Sequence, residues 1–178
     1  MSDGSTQGSA SPVGGVLQSN ALHITDILTN TTGLPITATY TITTFDGTCT
    51  GTTRDVVITI NPEPVGSDIT RAAECSDAGF VVSANNVGNG VASTFTWVRN
   101  ALPAGLTSVV AGDGTGDIEE TLQNLTGGVL NATYVVTPTA TTGSCVGSTY
   151  VVTIPINPEP VGTNITRAAE CSDAGFVV

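Results

Sequence analysis

The sequence contains no lysine and few charged residues of any kind. Lysine and arginine together number four, against 15 acidic residues, and the formal net charge is -11. A surface so poor in cations cannot neutralise phosphates, which excludes nucleic acids and anionic membrane surfaces as partners. No apolar run approaches the roughly 18 residues of a membrane-spanning helix, so direct membrane insertion is not expected either.

Side chains suited to catalysis are equally scarce. His23 is the single histidine, and no serine lies in a nucleophile-elbow motif. Glu119 and Glu120 are adjacent, and in a strand they would point to opposite faces rather than flank one glycosidic bond. Aromatic residues make up 4% of the chain, which leaves little for a glycan-binding platform. We therefore expect no enzyme and no cofactor.

A long internal repeat is the strongest signal in the sequence. Residues 61–82 recur almost unchanged as residues 157–178, and the two copies differ only where Ser67 and Asp68 are replaced by Thr163 and Asn164. Residues 27–64 also align with residues 121–160. The offset of about 96 residues is too long for one turn of a solenoid and close to the size of an Ig-like sandwich. Each period is therefore predicted to be a whole domain.

Alternating β-branched and polar residues predict half-buried strands within each period. These runs are separated by clusters of Gly, Asn, Asp and Pro, which favour turns. The predicted fold is all-β, with tandem Ig-like β-sandwich modules of antiparallel strands. The runs are Ala38–Thr43, Val56–Ile60, Phe95–Val98, Ala132–Val136 and Tyr150–Ile154.

Asn-Pro-Glu-Pro-Val-Gly occurs twice and predicts the domain boundaries. Its prolines cannot donate to a β-ladder, and they stiffen the chain toward an extended linker. Residues 1–64 are predicted to be an incomplete module that lacks its first strands, and residues 65–160 a complete one. Residues 161–178 would be the opening strand of a next module or a donor strand.

Four cysteines allow three disulfide pairings. Cys75 near the start and Cys145 near the end of the complete module favour one intramodule disulfide, with Trp97 between them in the core as in Ig-like folds. Cys171 of one chain would then bond to Cys49 of the next, or, in a longer array, Cys49 would bond to a preceding segment and Cys171 to a following one. Pairing of Cys49 with Cys75 and of Cys145 with Cys171 across the linkers remains open. No short chelate spacing supports zinc.

Two further patterns suggest ligands or modifications. Asp113, Asp117 and Glu119 supply oxygen ligands of the kind that calcium prefers, although the stretch equally suits a solvated turn before a strand. Four segments match the N-glycosylation pattern, which arises easily by chance in a chain rich in threonine: Asn30-Thr-Thr, Asn124-Leu-Thr, Asn131-Ala-Thr and Asn164-Ile-Thr. Calcium is the only metal or cofactor for which the sequence offers candidate ligands.

Four segments carry a resemblance to a known family: AAECSDAGF, the aromatic strand TFTW, the segment LQNLTGGVLNATYVVTPTATTGSCVGSTYVVTIPINPEP and its weaker copy LTNTTGLPITATYTITTFDGTC. In these segments the module resembles the PKD-like and Ig-like repeats of very large Bacteroidetes surface proteins, including gliding-motility adhesins. The resemblance covers residues 65–160 fully and most of the remainder in part. It implies β-sandwiches, extracellular export and tandem display, with no catalytic residues to transfer.

The leading functional hypothesis is a structural or adhesive element of a bacterial cell surface or extracellular filament. Its partners would be copies of itself or neighbouring modules of the same protein. In a sharper version, residues 163–178 of one chain complete the first module of the next by strand donation, with Ile165, Phe176 and Val178 as apolar anchors. A chain cut from one giant repeat protein would explain the ends equally. The competing class is a non-catalytic binding or spacer module of a secreted enzyme, of the carbohydrate-binding type.

Overall fold

The computed structural model describes residues 26–45, 47–110, 112–160 and 162–166, and all regular secondary structure in these ranges is β-strand. Runs of Thr, Val and Ile favour the extended backbone, and the intervening glycines permit tight turns. The strands are β1 (Ile36–Phe45), β2 (Thr50–Ile60), β3 (Ile69–Thr70), β4 (Glu74–Cys75), β5 (Gly79–Val82), β6 (Ser93–Arg99), β7 (Leu106–Ser108), β8 (Asp113–Thr115), β9 (Ile118–Asn124), β10 (Leu130–Ala140) and β11 (Tyr150–Asn157).

Strands β1 and β2 form a separate antiparallel pair, which we call the N-terminal hairpin. Ile36 lies opposite Ile60, and the register holds to Thr43 opposite Thr53 before it shifts next to Phe45. Ala38 is fully buried, whereas most other side chains of the hairpin are exposed or half-buried.

The larger layer of the central sandwich is a six-stranded sheet in the order β3-β11-β10-β6-β8, with β4 also paired to β11. Strands β11, β10, β6 and β8 pair antiparallel. The short strands β3 and β4 instead run parallel to β11, which places Ile69 opposite Val152 and Cys75 opposite Asn157. The opening segment of the module therefore covers the outer edge of its last strand.

A three-stranded antiparallel sheet, β5-β9-β7, faces the first layer. Residues of β9, β10 and β11 alternate between buried and more accessible positions, so one face of each strand fills the space between the layers. The prediction of an all-β, mainly antiparallel Ig-like sandwich is confirmed. The core comprises Phe80, Val82, Ala84, Trp97, Leu106, Ile118, Leu122, Ala132, Tyr134, Val136, Tyr150, Val152, Ile154 and Ile156.

Within the part of the chain that the structure describes, the N-terminal hairpin presents the same apolar positions without a comparable core. By the repeat alignment, Val56 and Ile58 of β2 correspond to Val152 and Ile154 of β11. Val56 is 38% and Ile58 40% exposed, whereas both β11 residues are fully buried. The apolar face that β11 buries is therefore accessible on β2.

The predicted domain boundaries at residues 64/65 and 160/161 stay a prediction.

Within the described part of the chain, no helix is long and apolar enough to cross a membrane.

Candidate functional site: the junction between the modules

The linker of residues 61–64 joins the N-terminal hairpin to the central sandwich, and it is packed against both. Pro62 and Pro64 are buried. The backbone N–H of Glu63 donates to the carbonyl oxygen of Asn30 at 2.9 Å, which ties the linker to the N-terminal side. Since proline also restricts the backbone, the linker is held in one extended path.

Asn89 binds both sides of this linker from the central sandwich. Its amide nitrogen donates to the carbonyl oxygen of Glu63 at 2.8 Å and to those of Thr31 and Thr32 at 3.2 Å each. Its amide oxygen accepts a hydrogen bond from the backbone N–H of Val65 at 3.1 Å. The Asn89 side chain of the central sandwich thus binds the loop that precedes the N-terminal hairpin and the first residues of the central sandwich.

The turn between β10 and β11, residues 141–147, packs against the linker from another direction. A Cβ atom at Gly147 would overlap the carbonyl oxygen of Pro64, and one at Gly143 would overlap the side chain of Asn61. Gly143 also has a φ of 76°, which favours glycine. The Sγ atom of Cys145 lies 3.9 Å from the carbonyl oxygen of Asn61. The tip of this turn and the linker are therefore in close contact.

Asn30 and Asn124 shape the loops on the two sides of the repeat in the same way. The amide nitrogen of Asn30 donates to the carbonyl oxygens of Leu34 and Ile60, both at 2.9 Å. That of Asn124 donates to the carbonyl oxygens of Gly128 and Ile156, both at 2.8 Å. Each asparagine is 2% exposed.

The threonine two positions later completes each loop. The backbone N–H and the hydroxyl of Thr126 both donate to the amide oxygen of Asn124, at 3.0 and 2.7 Å. Thr32 makes the matching bonds to Asn30 at 3.0 and 2.6 Å. The Asn-x-Thr-Gly pattern is thus a buried turn motif in both modules, and its amides are not available to a glycosyltransferase in the folded protein.

A buried charge pair lies inside the central sandwich. The carboxylate of Glu120, whose side chain is fully buried, accepts hydrogen bonds at 2.6 Å from Arg99 and at 2.7 Å from the hydroxyl of Tyr134. Burial, and then the hydrogen bond to Glu120, raise the pKa of Tyr134 well above its usual value. Within the core, Glu120 thus accepts the hydrogen bonds that Arg99 and Tyr134 donate.

The N-terminal module repeats this carboxylate–tyrosine contact in reduced form. The hydroxyl of Tyr40 donates to Asp26 at 3.0 Å, and both residues align with Tyr134 and Glu120 at an offset of 94. Burial, and then the hydrogen bond to Asp26, raise the pKa of Tyr40. A carboxylate–tyrosine hydrogen bond therefore recurs at matching positions of the repeat.

The predicted disulfide between Cys75 and Cys145 is wrong. Both cysteines have free thiols, and they lie at opposite ends of β11. Cys75 is opposite Asn157 at the end of that strand, whereas Cys145 precedes its start at Tyr150. At roughly 3.3 Å per residue the strand is about 23 Å long, against the Cα separation of under about 7 Å that a disulfide requires.

The alternative pairing of Cys49 with Cys75 stays a prediction. Cys49 precedes β2 of the N-terminal hairpin, and Cys75 lies in β4, opposite Asn157 of β11. Cys171 lies outside the described residues, as do His23, Phe176 and Val178. Ile165 is described and is 79% exposed.

The predicted calcium site is also wrong. Among the described residues, no three His, Cys, Asp or Glu side chains come together as a group that could hold a metal ion. Asp113 lies in β8, opposite Val98 in the six-stranded sheet, whereas Glu119 lies in β9, opposite Val81 in the other sheet. Asp113 and Glu119 therefore belong to different layers of the sandwich.

The fold defines the chain as an Ig-like β-sandwich protein. Trp97, its single tryptophan, is 5% exposed and packs edge-on against Tyr134 at a ring separation of 5.6 Å, so it serves the core. The family model of the PKD-like domain matches residues 7–64 and again residues 72–160, and the chain belongs to the PKD-like domain family. Domains of this kind are usually non-catalytic and typically extracellular. No curated protein matches the chain significantly.

Proposed function

We propose that this protein is a structural or adhesive repeat protein of a bacterial cell surface or extracellular filament, in which modules are held end to end. The observation that carries the proposal is the junction. Pro62 and Pro64 are buried, and the Asn89 amide of the central sandwich donates to Thr31 and Thr32 in the loop before the N-terminal hairpin and to Glu63 in the linker. A binding domain tethered by a flexible spacer needs no such contacts, whereas an extended fibre needs every junction to resist bending. The resemblance to repeats of Bacteroidetes surface proteins supports the same role.

Among the described residues β2 pairs with β1 alone, and its other edge supports a second step, assembly by strand donation. In the central sandwich, β3 and β4 run along β11, which aligns with β2. Residues 163–178 nearly duplicate the segment that contains these two strands and β5. We infer that residues 163–178 of one chain add to the N-terminal hairpin of the next in the register seen at β11. A longer chain would supply the same segment covalently, and a filament results in either case.

The central module indicates which donor residues would be anchors. Ile69 packs against the core, Phe80 is 6% and Val82 8% exposed. These positions correspond to Ile165, Phe176 and Val178 at the offset of 96. Each anchor that becomes fully buried would contribute about 1.5 to 3 kcal/mol to assembly.

Assembly is tested by sedimentation velocity and negative-stain microscopy of the full chain across a range of concentrations. We expect concentration-dependent linear oligomers, and we expect Phe176→Asp to abolish them because it places a charge in an apolar groove. Val177→Asp is the matched control, since the corresponding Val81 is 66% exposed, and it should still assemble. Strand donation is rejected if the unaltered chain stays monomeric at every concentration.

The end-to-end arrangement is tested separately by small-angle X-ray scattering of the monomeric Phe176→Asp chain. A fixed junction gives a single narrow distribution of maximum dimension, and Asn89→Ala should broaden it. The proposed stiff junction is refuted if the Asn89→Ala chain and its parent scatter alike and both fit a flexible two-body ensemble.

A further inference from the structure

The repeat places two cysteines of different modules at the same peptide group. We use "early cysteine" for Cys75 and its repeat equivalent Cys171, and "late cysteine" for Cys145 and its equivalent Cys49. In the central module the early cysteine lies opposite Asn157, and the backbone N–H of Ser76 donates to the carbonyl oxygen of Asn157 at 3.1 Å. The early cysteine therefore lies at the exit end of its own module.

The late cysteine lies at the entrance of its module. The turn that contains Cys145 is fixed by two backbone hydrogen bonds, from the N–H of Ala140 to the oxygen of Cys145 at 2.8 Å and from the N–H of Gly147 to that of Pro138 at 2.9 Å. Its Sγ atom lies 3.9 Å from the carbonyl oxygen of Asn61, in the linker to the preceding module.

Asn61 and Asn157 are the same position of the repeat, the first residue of the two Asn-Pro-Glu-Pro-Val-Gly linkers. When an opening segment lies along β2 as β3 and β4 lie along β11, its early cysteine comes opposite Asn61. The N–H after that cysteine then points at the oxygen that the Sγ atom of Cys145 already contacts. The early cysteine of one module and the late cysteine of the next thus lie beside one carbonyl group. A disulfide between them would need a Cα separation of about 4.4 to 6.8 Å.

We propose that a disulfide joins the early cysteine of each module to the late cysteine of the module that follows it, across the linker asparagine. Two thiols lose two protons and two electrons to a small-molecule or protein disulfide, which is reduced to two thiols as the new bond forms. Cys75 is exposed and Cys145 half-buried, so both are within reach of such an oxidant.

The rule rests on the end-to-end order of modules in the proposed function, but not on strand donation. In a chain assembled by donation it predicts two bonds at every subunit contact, Cys75 to Cys49 and Cys171 to Cys145 of the adjoining chain. The bond from Cys171 to Cys49 is not formed, since these two residues would occupy opposite ends of one completed module, as Cys75 and Cys145 do.

The test inserts a second copy of residues 65–160 after Pro160 of the full chain and carries Cys49→Ser and Cys171→Ser. Two early and two late cysteines remain, and the inserted junction has a natural linker sequence. After oxidation with oxidised glutathione at low protein concentration, free thiols are counted by mass after alkylation in denaturant. We expect one intrachain disulfide and two free thiols. Four free thiols overturn the proposal, and so does closure of both modules internally, which leaves none.

Two matched variants identify the bond. Cys75→Ser in the first copy should abolish the disulfide and leave three thiols, whereas Cys145→Ser in the first copy should preserve it and leave one. Loss of the bond in the second variant but not in the first overturns the assignment. Because the readout is intrachain, it can succeed where filament assembly fails, so failure of either proposal is recognised independently.

Discussion

Replacement of Asn124 by alanine should be the most damaging single polar substitution in the loop between β9 and β10. The side chain donates to two backbone carbonyls at 2.8 Å and accepts two hydrogen bonds from Thr126, in a position that is 2% exposed. A net hydrogen bond contributes about 1 kcal/mol, and a buried group left without a partner costs more. With two carbonyls and the amide of Thr126 losing this partner, we expect the free energy of unfolding to fall by about 3 kcal/mol.

The assay follows the fluorescence of the single tryptophan. Trp97 is the only tryptophan and lies in the core of the central module, so its fluorescence during urea unfolding reports on that module alone. With a urea m-value of about 2 kcal/mol/M, a loss of about 3 kcal/mol lowers the midpoint by about 1.5 M and leaves the slope unchanged.

The matched control is Asn30→Ala, which removes the same four contacts from the N-terminal module. It should move the Trp97 transition by less than about 1 kcal/mol, because the lost contacts lie outside the core that Trp97 reports on. A drop of less than about 1 kcal/mol for Asn124→Ala, or equal shifts for the two variants, would refute the assignment of loop stability to the asparagine side chain.

Three further predictions use the same Trp97 fluorescence. Glu120→Gln should lower the free energy of unfolding by about 3 kcal/mol, because it leaves the charge of Arg99 unpaired in the core; an unchanged urea midpoint would contradict it. Burial raises the pKa of Tyr134 above the ordinary value of 10.0, so above about pH 10 only the unfolded chain loses this proton. Stability should therefore hold below that pH and fall above it by up to about 1.4 kcal/mol per pH unit, and a Tyr134→Phe chain with the same slope would argue against this origin. Gly66→Ala should cost about 1 to 3 kcal/mol, because its Cβ would overlap the ring of Tyr150, while Gly162→Ala at the equivalent repeat position meets nothing within 4 Å and should be neutral; equal effects would refute the close approach.

The sequence alone was sufficient to predict the class of fold. Strand periodicity identified β1, β2, β6, β10 and β11, because each presents an apolar face of period two over at least four residues. Strands β3 and β4 have two residues each, which is too short for any period to show. Their parallel pairing with β11 is set by tertiary contacts, and it decides where Cys75 lies. The disulfide prediction failed for this reason, since sequence order gives no information on which end of the sandwich a cysteine occupies.

Two repeated features were visible in the sequence and were misread or missed. The Asn-x-Thr-Gly pattern recurs in register at Asn30 and Asn124, and recurrence in a duplicated module favours a structural turn over a chance glycosylation match. The carboxylates at Asp26 and Glu120 also recur in register with Tyr40 and Tyr134. By contrast, the role of Asn89 could not be predicted, because its contacts with Thr31 and Thr32 lie 58 and 57 residues away and follow no motif.

The repeated linker has a consequence for any longer array. The contact between modules is heterologous, since the surface around Asn61 and Asn30 meets a different surface, formed by Asn89 and the turn at Cys145. Such a contact does not close on itself in pairs, and it generates an open helical filament unless its rotation closes a ring. Because the linker at 157–160 repeats the one at 61–64, every junction with this geometry applies the same rotation and rise. An array built from one repeated rotation and rise has a straight axis on average. Its bending stiffness depends on the contacts within each junction rather than on the length of the chain. The early and late cysteines lie at that step, so oxidation would fix each junction where the polar contacts alone leave it reversible.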